Sequence, residues 1–495
     1  MTEDFLLSQA PYWSQLRSEL ISCGFCKSLY TEPKEVMKIL ENGLHLFSTL
    51  FEDWCIQHIT SSKDLGKIFW IYSLYERNNN SGIFQLSEED INALYTCRYI
   101  LSIAPKLSLS VHAEPIIKDN TVCLPELFLL TNIIGQLNQF RCVAGLSKEA
   151  SVCVKITEEF VYFDYLDDNL DDLLHMSKIK GNAIIAPSYV DYDIGIDFDS
   201  VLRETFGLAA SSLLDAFLFE NVDYSPTNDN VTPKDFTKYR DLYGNTTFAK
   251  ELILNKECVN FYNVITKPHS TNYRTRFRPL IEINVDGKLL LASTKWLLFE
   301  AYSELALNRL PFGELPKSWL KFDKIKKFAN DIHDKVGKSF ELHVKSHISN
   351  QFKSQYNIKS ICNQSVEDFP VYVNGKDTGR TVGQIDFIIL NEDLHVIYIA
   401  DAKNLKSKYF TASFYNDKSK FDTYYTKLLD KASWAKEHRS LISRLFDVDV
   451  SDFEVQECFI TDAYVFYSLF VDYPIIPVKA LNAYLSTNDK LCFLK

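Results

Sequence analysis

Two acids and a lysine stand at matching ends of two neighbouring apolar runs. The first run is Gly383-Gln384-Ile385-Asp386-Phe387-Ile388-Ile389-Leu390, and the second is His395-Val396-Ile397-Tyr398-Ile399-Ala400-Asp401-Ala402-Lys403. Only Asn391-Glu392-Asp393-Leu394 separates them. Such runs joined by a short polar stretch predict an antiparallel hairpin. A two-residue loop at Asp393-Leu394, or a four-residue loop from Glu392 to His395, gives one and the same register. In it Asp386 lies opposite Asp401, on one face, with Cβ atoms about 4.5–5.5 Å apart. Alternation puts Lys403 on that face too, whereas a one-residue slip sends the two acids to opposite faces. Close carboxylates repel unless a cation sits between them. Oxygen-only ligands favour Mg²⁺, with Mn²⁺ as substitute, and an adjacent ammonium can orient and activate a water. That is equipment for metal-assisted phosphodiester hydrolysis. If the acids only repel, removing one is expected to leave the metal-free fold intact.

The elements that must position these groups can be read from periodicity. Trp319 to about Phe352 predicts a helix, with short strand candidates at Ile358–Cys362 and Val371–Val373. The hairpin follows, then a long helix over about Asn416–Leu445, a strand over Val455–Phe466 and a short helix over Val478–Leu485. Upstream, the first 135 residues predict helices: Glu35–Ile59, Lys67–Tyr75, Asp90–Ile103 with a start signal at Ser87, and Pro125–Phe140. Helix is also expected throughout Trp13–Leu40, and a loop at Asn78–Gly82. Residues 150–199 are strand-like, at Val152–Ile156, Phe160–Phe163 and Ala183–Ala186. A helix is expected at Val201–Phe219, a long loop at Asn221–Asn245 and a hairpin over Pro279–Ser293 turning at Asp286-Gly287. A further helix over Thr294–Leu310 is broken by Pro311–Pro316.

Asp386 followed by Asp401-Ala402-Lys403 resembles the PD-(D/E)XK, or restriction-endonuclease-like, nuclease superfamily. A preceding helical acid, often after Gly-x-x-Phe, has its match in Gly337-Lys338-Ser339-Phe340-Glu341. The resemblance covers Lys321 to Phe470. Ile385 stands where the family name has Pro, Gln384 where resolvase-like members carry Glu, and the Gln-x-x-x-Tyr pattern of the exonuclease-like branch is missing. The resemblance implies an α+β protein. A large, mostly helical region, residues 1–310, would precede an α/β core at 317–495 with a central mixed sheet flanked by helices. It implies that Glu341, Asp386, Asp401 and the carbonyl of Ala402 hold Mg²⁺, while Lys403 activates the attacking water and a 5′ phosphate results. Nucleic acid, DNA favoured, is the implied substrate, in restriction or antiviral defence. The alternative is a nuclease-fold interaction or nucleic-acid-binding protein that does not cut.

Charge is distributed to match. The chain has 495 residues and net charge −12; residues before Lys321 carry −13, and Lys321–Phe446 carries +6. A polyanion is repelled by the first part and tolerated by the second. The acidic part suits a protein partner or a second copy of the chain. On the helix after Lys403 stand Lys406, Lys408, Lys418, Lys420, Lys427 and Lys431 with Tyr409, Tyr415, Tyr424 and Tyr425; Lys420, Tyr424 and Lys427 are the candidate nucleic-acid contacts. An ordinary globular composition, with 46% hydrophobic residues, excludes a disordered or low-complexity chain. No apolar run reaches the roughly 18 residues of a membrane helix, and the start lacks a signal-peptide pattern, so no membrane partner and a cytoplasmic location are expected.

Other motifs carry less. The acid-x-Lys triplets at Glu32-Pro33-Lys34 and Asp286-Gly287-Lys288 sit at an expected helix start and turn. Cys23-Gly24-Phe25-Cys26 is expected to be a pair of half-buried structural cysteines, with a thiol oxidoreductase as a distant rival. His343 and His347 lack the Glu of a zinc-protease helix. Asp191, Asp193, Asp197 and Asp199 around Gly195 lack the spacing of a calcium loop and predict a solvated turn. Asp164–Asp172 predicts an exposed helix end. No Walker-type phosphate loop is present, which argues against an ATP-driven motor.

Overall fold

The structure is a computed structural model that describes residues 3–81, 87–117, 124–147, 149–167, 170, 194–207, 247–267, 274–351, 358–373, 376–405 and 411–492. The expectations for Ala183–Ala186, Asn221–Asn245, Asp191, Asp193, Lys406, Lys408 and Tyr409 lie outside these residues. The fold is mixed α+β with several sheets. It forms two compact units, one of Met1–Gly145, Glu149–Asp167 and Tyr192–Asp331, the other of Leu146–Lys148, Asp168–Asp191 and Ile332–Lys495. No described helix is long and apolar enough to cross a membrane.

The first unit begins with helices α1 (Glu3–Ser22), α2 (Pro33–His58), α3 (Ser62–Ser81), α4 (Glu88–Ile103) and α5 (Pro125–Leu146). In α2 the apolar stripe Val36, Ile39, Leu40, Leu44, Phe47 and Phe51 is buried, and the Glu32 side chain caps its start. Ser87 and Asp90 form a reciprocal capping box on α4. Continuous helix over Trp13–Leu40 is a wrong expectation. The chain leaves α1 at Ser22, reverses at Gly24 with φ +89, and makes strand β1 (Leu29–Tyr30) before α2. The Asn78–Gly82 loop is also corrected: α3 runs on to Ser81, because its buried face of Leu65, Ile68, Phe69 and Tyr72 outweighs the weak propensity of three Asn.

Strand β1 lies beside β3 (Val152–Ile156), which pairs antiparallel with β4 (Val161–Tyr165). Asp164 therefore lies on a strand, not at a helix end. Asp197 and Asp199 lie on helix α6 (Ile194–Phe206), not in a turn. A second sheet places β6 (Leu280–Val285) against β2 (Ser108–Leu109) and β5 (Ile253–Leu254), both parallel to it, and against β7 (Lys288–Ala292). The β6–β7 hairpin turns at Asp286 (φ 47) and Gly287 (φ 79), the paired positive φ values of a type I′ turn. Helices α7 (Phe261–Thr266) and α8 (Lys295–Ser303, capped by Thr294) complete this unit.

Helix α9 (Asp323–Gln351) carries the chain from one unit to the other between Asp331 and Ile332, downstream of the Pro311–Pro316 breaker. Its buried stripe in the second unit is Ile332, Val336, Phe340, Val344 and Ile348, one residue every four along one helix face. Five strands follow in the order β12-β11-β10-β9-β8. Strands β8 (Ile358–Val373), β9 (Lys376–Asn391) and β10 (Val396–Lys403) form an antiparallel meander. Strands β11 (Glu454–Thr461) and β12 (Ile475–Pro477) add in parallel to β10.

A parallel neighbour requires a crossover. It is made by α10 (Thr411–Glu437) and α11 (Arg439–Phe446), two helices where one long one was expected. The inner stripe of α10, Phe421, Leu428, Ala432 and Ala435, is buried, and Phe421 meets Phe459 of β11 at 5.1 Å between ring centroids. Strand β10 is central, and Val396 to Ala400 are all buried, as a strand covered on both faces requires. A short helix α12 (Leu481–Thr487) closes the unit, where Leu485 accepts a hydrogen bond at 2.6 Å from Asn391 Nδ2.

Candidate active site

The hairpin has the expected register, through the four-residue loop Glu392–His395. Val396 pairs with Asn391 and Ala400 with Phe387. Asn391 Oδ1 stabilises the loop by accepting from the backbone N–H groups of Asp393 (3.0 Å) and Leu394 (3.1 Å). The ladder ends at Ala400–Phe387, one pair before Asp386 and Asp401. There the Asp386 side chain replaces the missing rung, its Oδ2 accepting from the Ala402 N–H at 2.8 Å. Gly383, three residues earlier with φ +78, lets β9 depart from regular strand geometry just before the acid. Strand β10 meanwhile continues along β11 as far as Lys403–Thr461. The two acids thus sit where one strand leaves the other, at a fork in the sheet.

Asp401 is the most enclosed member, at 4% exposure. Its Oδ2 is 2.5 Å from Lys403 Nζ, and its Oδ1 is 2.5 Å from Lys431 Nζ on α10. Lys431 is itself buried. Burial alone raises the Asp401 carboxyl, but the two ammonium groups overcome it and hold the group down at about 2. Asp386 has no such pair: burial, then the charge of Asp401, push it up to about 7. Lys403 is raised, since its attraction to Asp401 and Asp386 outweighs burial. Glu341, half-buried beside Phe340 on α9, is raised by burial and feels Lys403, Asp401, Lys338 and Lys431. Helix α9, the β9–β10 fork and helix α10 thus bring three acids and two lysines into one electrostatic cluster.

Sequence reasoning placed Glu341, Asp386, Asp401, Ala402 and Lys403 in this cluster but missed the part of Lys431, which entered only as one of several helical lysines. Its signal was position: Lys431 falls three residues after Leu428 and beside Ala432, on the apolar stripe of α10. The premise that the acids only repel is corrected for Asp401, whose carboxylate pairs with both Lys403 and Lys431, so its loss is now expected to destabilise the metal-free fold. Of the candidate nucleic-acid contacts, Lys420 and Lys427 are exposed on α10. Tyr424 instead presents its ring to Lys403 Nζ, 5.3 Å from the centroid, a cation–π contact within the cluster.

Among the described residues, no group of three or more His, Cys, Asp or Glu side chains is gathered closely enough to hold a metal ion. The donor set nonetheless suits one: three carboxylates and the Ala402 carbonyl are hard oxygen ligands of the kind Mg²⁺ takes. Both Asp401 oxygens and Asp386 Oδ2 accept from N–H groups, and each keeps a second lone pair. Burial, then His343, lowers His347. Cys23 and Cys26 are free and exposed, which corrects the half-buried expectation. They follow a helix and precede a strand, the reverse of the setting a redox pair needs.

The acids have opposite linkage to pH. Asp386 titrates higher in the folded than in the unfolded chain, so its charging opposes folding, and that loss develops as pH rises from about 4 to about 7. Asp401 titrates lower, so its contribution is present above about pH 4 and is lost as pH falls through about 2. Asp386→Asn is therefore expected to be more stable than the wild type above pH 7, on the order of 2 kcal/mol, and equal to it near pH 4. Urea midpoints of both proteins in EDTA between pH 4 and 8 check this. A wild type that gains stability relative to the variant over that range contradicts the assignment.

Compared with protein-family models, with curated proteins and with solved structures, the chain gives no match in any of the three.

Proposed function

We propose that the chain is a metal-dependent nuclease of the restriction-endonuclease-like kind, acting on nucleic acid, with DNA favoured. The observation that carries this reading is the fork: Asp386 and Asp401 where β9 leaves β10, Lys403 ion-paired at 2.5 Å, and Glu341 brought in on the preceding helix. The order of helix α9, meander β8–β9–β10, crossover helix α10 and parallel β11 supports it, being the order expected of that core. Glu341, Asp386, Asp401 and the Ala402 carbonyl are the groups that would hold Mg²⁺. When bound, such an ion supplies charge neutralisation at the phosphodiester and a more acidic water.

The chain's own residues do the rest. Lys403, tethered to Asp401, orients the attacking water. Asp401, kept ionised by its two lysines, stays an acceptor across the whole physiological range. Tyr424 presents its ring to the Lys403 ammonium. Exposed Lys420 and Lys427 meet the phosphate backbone. Cleavage of plasmid DNA and of RNA by the intact chain tests the reading. Mg²⁺ or Mn²⁺ is expected to support cutting and Ca²⁺ to support it poorly. EDTA should abolish it, and a zinc chelator that spares Mg²⁺ should leave it unchanged. Activity that survives EDTA, or returns only with Zn²⁺, overturns the reading.

One observation favours a second reading. Both oxygens of Asp401 are already satisfied by ammonium groups, which suits a nuclease-fold binding protein stabilised by a closed ion-pair network. Nucleic-acid binding without cleavage in every metal tested supports that alternative.

A further inference from the structure

We infer that the first unit carries an anion site built on Arg98, Arg274 and Arg276, whose ligand is a small phosphate-bearing molecule. Every residue of the cluster belongs to that unit, so the site is independent of the fork in the second. Helix α4 carries Tyr95, Arg98 and Tyr99 at spacings of three and four, which puts them on one face. Arg274 and Arg276 come from the turn that leads into β6. Glu300, on α8, is shared between two of the arginines. Its Oε1 lies 3.4 Å from Arg98 Nη2 and 3.4 Å from Arg276 Nε, and its Oε2 accepts from the Tyr72 hydroxyl. Glu304, just past α8, is buried and meets Arg276 Nη2 at 2.9 Å.

Arg274 has no such acid. Among the described residues its only side-chain hydrogen bond runs from Nη2 to the Val264 carbonyl on α7, its Nε has none, and no carboxylate pairs with it. Three guanidinium groups therefore meet two carboxylates. The phenol beside them does not make up the difference, because burial pushes Tyr99 up to about 12 and keeps it neutral. Burial draws Arg274 down to about 10, with Arg98 and Arg276 adding to the fall, so it still carries its charge at neutral pH. An enclosed cation without a counter-charge is costly, and a bound anion removes that cost. Arg98, Arg274, Arg276, Tyr95 and Tyr99 are half-buried, so solvent reaches the cluster. A phosphate suits it better than a carboxylate, because its oxygens point several ways and take donors from more than one guanidinium fork. The Tyr99 hydroxyl makes no hydrogen bond among the described residues and is a further donor. Its ring is held by Phe51 and Phe261, at 5.8 and 5.2 Å between centroids, and Arg98 lies 5.6 Å from the Tyr95 ring. The donors are thus positioned before any ligand arrives.

Calorimetric titration of the intact chain in a metal-free, phosphate-free buffer of constant ionic strength tests this, with inorganic phosphate, a nucleoside 5′-monophosphate and acetate as probes. The wild type is expected to bind phosphate and to bind acetate at least about tenfold more weakly. Arg274→Met should weaken phosphate binding about tenfold or more. Without ligand it should melt at or above the wild-type temperature, since an unpaired charge has gone. Tyr99→Phe keeps the ring contacts, guards against a folding defect and should weaken binding about threefold. A nucleotide that binds more tightly than phosphate marks an organic phosphate ester as the ligand, and equal affinities mark the free anion; either supports the site. No binding of phosphate or nucleotide by the wild type, acetate bound as tightly as phosphate, or wild-type affinity in both variants overturns it.

Discussion

Asp401→Ala is expected to lose about 3–5 kcal/mol of stability in the metal-free protein as well as its cleavage activity. The stability loss follows from geometry. Asp401 accepts from Lys403 and Lys431 at 2.5 Å each, inside a sheet-and-helix core where its side chain is 6% exposed. Truncation leaves two enclosed ammonium groups facing each other. A denaturant titration at pH 7 in EDTA measures it. A double variant, Asp401→Ala with Lys431→Met, should recover part of the loss, because one uncompensated charge is gone. An Asp401→Ala protein as stable as the wild type would mean that the ion pairs contribute nothing and that Lys431 is a bystander.

Lys403→Ala is expected to cut at least about 100-fold more slowly while losing less stability than Asp401→Ala. Asp401 keeps Lys431 in this variant, so the buried carboxylate stays neutralised. What goes is the ammonium at the strand end, on the face of both acids, where a water would be oriented. Single-turnover cleavage rates separate this from weaker binding: the loss should persist at saturating enzyme. A rate equal to that of the wild type removes Lys403 from the chemistry.

Much of this site was legible because its parts lie in strongly patterned sequence. Two apolar runs with one short polar break fix the hairpin, and period-two alternation then fixes which side Asp386, Asp401 and Lys403 share. The ladder itself stops one pair earlier than pattern alone suggests, since no periodicity announces the φ +78 of Gly383 or a side chain capping Ala402 N–H. Glu341 was reachable through Gly337 and Phe340. Lys431 was not, because a lysine on a helix reads as solvated by default, and only the stripe of Phe421, Leu428, Ala432 and Ala435 around it says otherwise. Strand β12 has three residues, too few for any period. In the first unit, Gly24 and strand β1 interrupt what looked like uniform helix, because local propensity cannot foresee a two-residue strand held by β3.

Asp386→Asn tests most directly whether the fork in the sheet hydrolyses phosphodiester bonds. This variant keeps an acceptor for the Ala402 N–H and removes a charge that the metal-free fold opposes, so it should melt at or above the wild-type temperature at pH 8. Lost activity then cannot be traced to unfolding. The measurement is the rate of DNA and RNA cleavage in Mg²⁺ by the intact wild type beside Asp386→Asn. Cutting by the wild type is expected, with a loss of about 100-fold or more in the stable variant. Equal rates in the two proteins, or no cleavage by the wild type with Mg²⁺ or Mn²⁺, would contradict it.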